Sequence, residues 1–238
     1  MSVVTVVVEQ WHDDVCCRGF LAYPQDVQHA PAVMIVHDWS GCNQMVQDRA
    51  IEFAHNGYVA YAVDMYGQGQ VGVDNESKQA LMMTILPDRD KLVRRLQLFL
   101  DKLRHLPQVN PQQLFAVGFC FGGLCVLDLA RSGAQLNGVV SFHGLLAAPG
   151  LPIDHDIVAH ILVLHGYDDP MVKPHDVIAF CDEMTNRAAT WEVDMYAHTK
   201  HAFTNPLAQD LQNGLMYDQA VANKAFAAMH AFFMRLGS

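Results

Sequence analysis

Short runs of Val, Ile, Ala and Leu recur along the chain, and between them apolar residues return every third or fourth position. The first pattern belongs to strands buried on both faces, the second to helices with one apolar stripe. The opening MSVVTVVVEQWHDD alternates as a strand, and CRGFLAYP follows after a turn, which predicts an antiparallel hairpin at a sheet edge. From there the two patterns take turns. APAVMIVH is a buried strand, NQMVQDRAIEFAHNG a helix closed by Asn56-Gly57, and YVAYAVDMY another buried strand. A polar, glycine-containing segment from Gly67 to Glu76 leads into a helical stretch through Met83, and a long helix starts near Asp88 and ends before Pro107. QLFAVGF, LNGVVSFHG, AHILVLHG and TWEVDMYAH read as strands. Helices are expected over Gly118 to Gly133, over PHDVIAFCDEMTNRAA and over the C-terminal YDQAVANKAFAAMHAFFMRLG.

Buried strands alternating with helices predict an α/β protein with a mostly parallel central sheet and helices on both faces. In such a sheet ligands bind at the carboxyl ends of the strands, so polar residues there carry the chemistry. No internal repeat, low-complexity tract or Pro/Ser-rich linker breaks the pattern, and a single domain over residues 1–238 is expected.

Composition narrows the function. Of 238 residues, 51% are hydrophobic and 17% charged, so the chain has a core to bury and is no disordered tract. A formal charge of -10 argues against a nucleic-acid partner, whose binding draws on clustered Lys and Arg. The basic stretch DKLVRRLQLFLDKLRHL has helical spacing and reads as a solvated helix face. The N-terminus lacks a basic n-region, and no apolar run has a membrane-spanning length, so no membrane role is expected. Six cysteines without regular spacing suit free thiols in a cytoplasmic protein, and the Cys16-Cys17 pair reads as structural. With no HExxH, paired CxxC or acidic loop, and no GxGxxG after the first core strand, neither a metal nor a cofactor is expected.

One short stretch stands out. In FAVGFCFGGLC, Cys120 lies on the turn between a buried strand and a helix, inside Gly118-Phe119-Cys120-Phe121-Gly122. That is the form of a nucleophile elbow, in which a strained turn lifts a nucleophile above the sheet and small residues avoid clashes. A buried core cysteine on a glycine-rich turn fits the same five residues. Further along, ILVLHGYDDPMV brings Asp168 and Asp169 to a strand end, and WEVDMYAHTKHAF does the same for His198 and His201. The chain order nucleophile, acid, histidine is that of an α/β-hydrolase.

With VMIVHDWSG, DMYGQG, VGFCFGG, LHGYDDPMV and HAFTNP spread over nearly its whole length, the chain resembles the dienelactone hydrolase family, α/β-hydrolases with a Cys-His-Asp triad. The resemblance implies Cys120 as nucleophile, His201 as general base and Asp169 as the acid, leaving Asp168 and His198 as loop residues. It implies oxyanion donors at the backbone of Trp39 and Phe121. It also implies a carboxylate at Asp38, where the family usually has Glu, able to hold the resting thiol; a plain loop-anchoring role is the competing reading. Family members that open dienelactones clamp the substrate carboxylate with arginines at positions occupied here by Gln68 and Asn205, so that clamp is absent unless Arg89 reaches in. His37 and His165 read as strand-end residues bonded to loops, His143 as a pocket neighbour. Leu81, Met82, Met83 and Leu86 suit either a lid or the core. The expected activity is hydrolysis of a small ester or lactone, with little preference for carboxylated dienelactones. A thioesterase or broad carboxylesterase is the nearest rival, and a ligand-binding or thiol-sensing module without turnover is the rival of another class.

Overall fold

The computed structural model describes residues 2–150 and 155–237. The strands are β1 (Val3–His12), β2 (Val15–Pro24), β3 (Ala30–Val36), β4 (Val59–Val63), β5 (Val109–Phe119), β6 (Gly138–Phe142), β7 (His160–Gly166) and β8 (Trp191–Tyr196), with a short β9 (Gln209–Asp210) and β10 (Leu215–Met216). The helices are α1 (Gln44–His55), α2 (Asn75–Met83), α3 (Arg89–Arg104), α4 (Phe121–Arg131), α5 (Pro174–Asn186) and α6 (Gln219–Leu236). The first eight strands make one mostly parallel sheet in the order β1-β2-β4-β3-β5-β6-β7-β8. The chain divides into two compact units, one up to Val117 and one from Gly118 onward.

In the first unit β1 and β2 form the expected edge hairpin, Val3 opposite Pro24 through His12 opposite Val15. β2 also pairs antiparallel with β4, and β3 runs parallel to β4 with Ala32 opposite Val59. Their Val, Ile and Ala side chains are almost all buried, as a strand covered on both faces requires. Asn43 caps α1 through the Val46 N–H, and Asp88 caps α3 through the Lys91 N–H. The α3 charges are exposed or half-buried apart from Arg95. Arg95 is buried, donating to His12 Nδ1 at 3.1 Å and to the Met65 carbonyl at 2.6 Å, so His12 is drawn inside as well. Burial, then the Arg95 charge, lowers the His12 pKa, which keeps that ring a neutral acceptor. After β4, the fully buried Asp64 shapes DMYGQG: its carboxylate accepts the N–H groups of Tyr66, Gly67, Gly69 and Arg18. α2 buries none of its residues, so Leu81, Met82 and Met83 are not core; the buried residue of this segment is Ile85.

In the second unit β6, β7 and β8 are parallel, with Gly138 opposite His160 and Ile161 opposite Trp191. α4 and α6 pack on β6. Arg131 of α4 is buried yet satisfied, bonding Asp128 on its own helix, Glu183 on α5 and the Leu146 carbonyl. Two features were not expected. β5 begins at Val109, before QLFAVGF, and takes in Pro111, which a strand tolerates only where no ladder N–H is needed. The β9–β10 pair is too short for an apolar pattern, although Asn213-Gly214 carries a turn signal and Gly214 adopts φ +73°.

Candidate active site

β5 ends at Phe119 and α4 begins at Phe121, leaving Cys120 alone on the turn with φ +54° and ψ −113°. A non-glycine residue in that region costs on the order of 1–3 kcal/mol, which the surroundings must offset. They do so by hydrogen bonds: the Cys120 N–H donates to the Phe142 carbonyl at 3.0 Å, and its carbonyl accepts from Gly123 and Leu124. Two glycines make the turn tight enough. A Cβ on Gly118 would collide with the Gly122 carbonyl, and one on Gly123 would lie 2.6 Å from the Gly144 Cα. Cys120 is half-exposed, whereas Cys17, Cys42 and Cys125 are buried. Burial pushes the Cys17 thiol up to about 11 and the Cys42 thiol up to about 12, so neither supplies a thiolate near neutrality.

Asp169 sits in the turn after β7. One carboxylate oxygen accepts the Met171 N–H at 2.8 Å, and the other lies 2.7 Å from His201 Nδ1. His201 lies beyond β8 on a loop tied down by two backbone bonds, its N–H to the Gly214 carbonyl and its carbonyl from the Met216 N–H. The β9–β10 pair therefore positions the histidine. Asp169 and His201 are 2% and 1% exposed. With Nδ1 bonded to the carboxylate, Nε2 is the ring nitrogen left to face Cys120. Burial works against a charged ring, but the charge that Cys120 carries when ionised and the bonds to Asp169 and Cys120 outweigh it, and the His201 pKa is pushed up to about 10. Such a ring holds a proton opposite the sulfur and can release it to a leaving group.

Asp168 and His198 are not part of this pair. Their closest approach is 4.0 Å, and the His198 side chain is 95% exposed. His165 Nε2 bonds the Val172 carbonyl, and His37 bridges the Asp38 carbonyl and the Met65 N–H, both as loop ties. His143 is buried at the end of β6, its ring edge-on to His201 with centroids 5.1 Å apart and its Nε2 2.8 Å from Thr204 Oγ1. Thr204 had no signal of its own in the sequence beyond lying in HAFTNP.

The remaining expected site residues fall in both units. In the second, Phe121 is the buried first residue of α4, at its positive end, and half-buried Asn205 uses Oδ1 to accept the Leu207 N–H of its own loop. In the first, the Trp39 carbonyl accepts from the Tyr66 hydroxyl, and Lys78 Nζ lies 5.6 Å from the Trp39 ring centroid. Asp38 is 9% exposed and accepts the Ser40 N–H at 2.8 Å, the bond a loop anchor would make. Gln68 is exposed with φ +58°, and Arg89 is the half-buried first residue of α3.

The model of the dienelactone hydrolase family matches residues 17–237, nearly the whole chain. The chain belongs to the dienelactone hydrolase family. The family protein is similar, at 33% identity and a TM-score of 0.93 over 99% of both chains, to a dienelactone hydrolase-like promiscuous phosphotriesterase, P91, from metagenomic libraries. It is 35% identical over 145 residues to an uncharacterized Caenorhabditis elegans protein, K02A2.1, covering 60% of this chain and 92% of that one. It is 29% identical over 195 residues to a probable 2-oxo-3-(5-oxofuran-2-ylidene)propanoate lactonase of Bradyrhizobium, covering 78% of each. Family membership makes it a hydrolase acting on ester bonds. Among the described residues no helix is long and apolar enough to cross a membrane, and no three His, Cys, Asp or Glu side chains gather as a metal site.

Proposed function

We propose that this dienelactone hydrolase family protein cleaves a small, uncharged ester or lactone through a thioester on Cys120, with His201 as acid and base and Asp169 orienting it. The observation that carries the reading is the buried Asp169–His201 pair, bonded through Nδ1 and interacting with Cys120, a cysteine on a strained elbow. The sulfur attacks the acyl carbon, and the tetrahedral oxyanion is held by the backbone N–H groups of Phe121 and Trp39. The carbon–oxygen bond then breaks, and His201 Nε2 gives its proton to the leaving oxygen. For a lactone the released hydroxyl stays on the acyl chain. Water, deprotonated by His201, cleaves the thioester and returns the acid and the resting cysteine. Asp38 is assigned the modulation of the resting thiol in this scheme on the family resemblance alone.

The preference for uncharged substrates rests on Gln68 and Asn205, neither of which brings a positive charge; Arg89 is the cation that would reverse it. A second reading, hydrolysis of neutral phosphotriesters, is favoured by the likeness to P91. There the sulfur attacks phosphorus, an alkoxide or aryloxide leaves, and water cleaves the sulfur–phosphorus bond. Both units would work as one hydrolase domain over 1–238, because the family match runs unbroken through their boundary. Six free thiols support a cytoplasmic setting. The test is a panel of neutral lactones, aryl esters, thioesters and an aryl phosphotriester, with Cys120→Ala as blank. Turnover that persists in the blank overturns the nucleophile, and a burst with no steady rate overturns hydrolysis in favour of a binding or sensing role.

A further inference from the structure

His143 stands in an unusual place for a buried histidine. It is the first residue after β6, it adopts φ +38°, and it is 2% exposed. Its backbone is fixed by the N–H, which donates to the Leu164 carbonyl of β7 at 2.8 Å. A left-handed non-glycine residue is retained where the surroundings over-determine it. Here the surroundings are the loop that carries His201. The His143 ring lies edge-on to His201 and edge-on to Phe203, centroids 5.1 Å away in each case, and its Nε2 shares a hydrogen bond with Thr204 Oγ1. Three of the four residues from His201 to Thr204 thus touch one ring. Ala202, between them, takes φ +57°, so this loop too is held in a strained conformation.

We propose that His143 and Thr204 form a positioning pair for the general base, a neutral imidazole fastened by the threonine hydroxyl and packed against His201 so that Nε2 stays directed at the reacting sulfur. The inference rests on the assignment of His201 as base. Two alternatives are weaker. A second proton carrier would need a ring that titrates near neutrality, whereas burial, followed by the charge of His201 and that of His165, holds the His143 pKa well below the usual histidine value. A purely structural ring could pack on any part of the chain, whereas this one bonds Thr204 at 2.8 Å and packs on His201 and Phe203 of the same loop. Neutrality is part of the device: a second charged ring beside the His201 imidazolium would oppose the ion pair with Cys120.

The groups that face His201 are Cys120, Asp169, His143 and His165. If the pair aligns the base, then loosening it weakens the contacts with Cys120 and Asp169 that raise the His201 pKa, and the base activates the sulfur less well. Thr204→Val keeps the shape and removes the hydroxyl; His143→Phe keeps the ring and removes Nε2. Each should lower kcat about tenfold with KM changed by less than about twofold, since small misplacements at a reacting centre cost up to about a hundredfold. Each should also slow alkylation of Cys120 by iodoacetamide at pH 7 by about threefold or more, with the pH midpoint moved upward. The double variant should be no worse than either single one, the signature of residues acting as a unit. Thr204→Ser, which restores the hydroxyl, should recover most of the rate lost in Thr204→Val.

An unchanged alkylation profile in a folded Thr204→Val protein overturns the proposal, as do additive losses in the double variant. His201→Ala measured alongside separates the two levels of the argument. If His201→Ala is inactive while Thr204→Val behaves as wild type, His143 and Thr204 are structural only. If His201→Ala stays active, the base assignment has failed.

Discussion

Two carboxylate–histidine pairs stand almost on top of each other in the sequence, and the fold treats them in opposite ways. Asp168 and Asp169 are neighbours, and His198 precedes His201 by three residues. Asp169 and His201 are buried and 2.7 Å apart, each carrying further backbone bonds, while Asp168 and His198 are 4.0 Å apart in solvent. In water an ion pair of that kind contributes little, because screening and side-chain entropy cancel most of the attraction. Out of water the same chemistry orients a ring and shifts its proton affinity. Residue type supplied the two candidates, and depth separated them.

The largest break of this comparison is at the nucleophile both pairs would serve. Cys120→Ala should lose at least about 10⁴-fold in kcat/KM for any ester the wild type cleaves, as removal of a nucleophile does, while its circular dichroism stays native. The pairs come next. His201→Ala and Asp169→Asn should each cost about two to four orders of magnitude, the usual contribution of a positioned base. His198→Ala and Asp168→Asn should stay within about twofold, as exposed substitutions do. The reverse ranking in steady-state kinetics would reassign both roles.

The neutral-substrate preference predicts a kcat/KM ratio of about tenfold or more in favour of a neutral lactone over a matched carboxylated dienelactone, about 1.4 kcal/mol in transition-state binding. Asn205→Arg should move the ratio toward the carboxylated compound. A wild-type ratio already favouring the carboxylate would show that a cation such as Arg89 reaches the substrate. At Asp38, replacement by Asn should speed iodoacetamide alkylation by roughly threefold if the carboxylate restrains the thiol. A slower reaction or a lower Tm assigns the residue to loop anchoring through Ser40.

The smallest effect is on stability against pH. His143 and His165 have folded pKa values below 6.5, mainly from burial, so the unfolded chain takes up protons that the native state refuses, and Tm should fall as pH drops below about 6.5. His201 runs the other way. Its folded pKa of about 10 means that the native state keeps a proton the unfolded chain has lost above 6.5. That contribution is complete below 6.5 and disappears as pH rises through about 10.

Much of the fold lay open in the chain itself. Buried β3 and β4 announce themselves as unbroken apolar runs, and the helices by their spacing and caps, because both depend on residues close in sequence. The elbow was legible for the same reason: Gly118, Cys120, Gly122 and Gly123 are local. The choice of Asp169 and His201 needed the family resemblance, since spacing alone left two acids and two histidines standing. Other features gave less local warning. Arg95 lies in a stretch that reads as solvated, yet its donors find His12 and the Met65 carbonyl from a distant part of the chain. β9 and β10 are two residues each, too short to carry a period, and only their pairing shows that they hold the His201 loop.

The sequence by itself determined that the chain builds a mostly parallel α/β sheet with a cysteine at the strand–helix turn, because hydrophobic period and turn chemistry are properties of neighbouring residues. Tertiary structure alone decided which polar groups leave water. Asp169 and His201 gain their chemistry from sharing a dry space, and His143 meets Thr204 across sixty-one positions of chain. Desolvation and hydrogen-bond geometry depend on what every element brings to one place, and no window of sequence contains that.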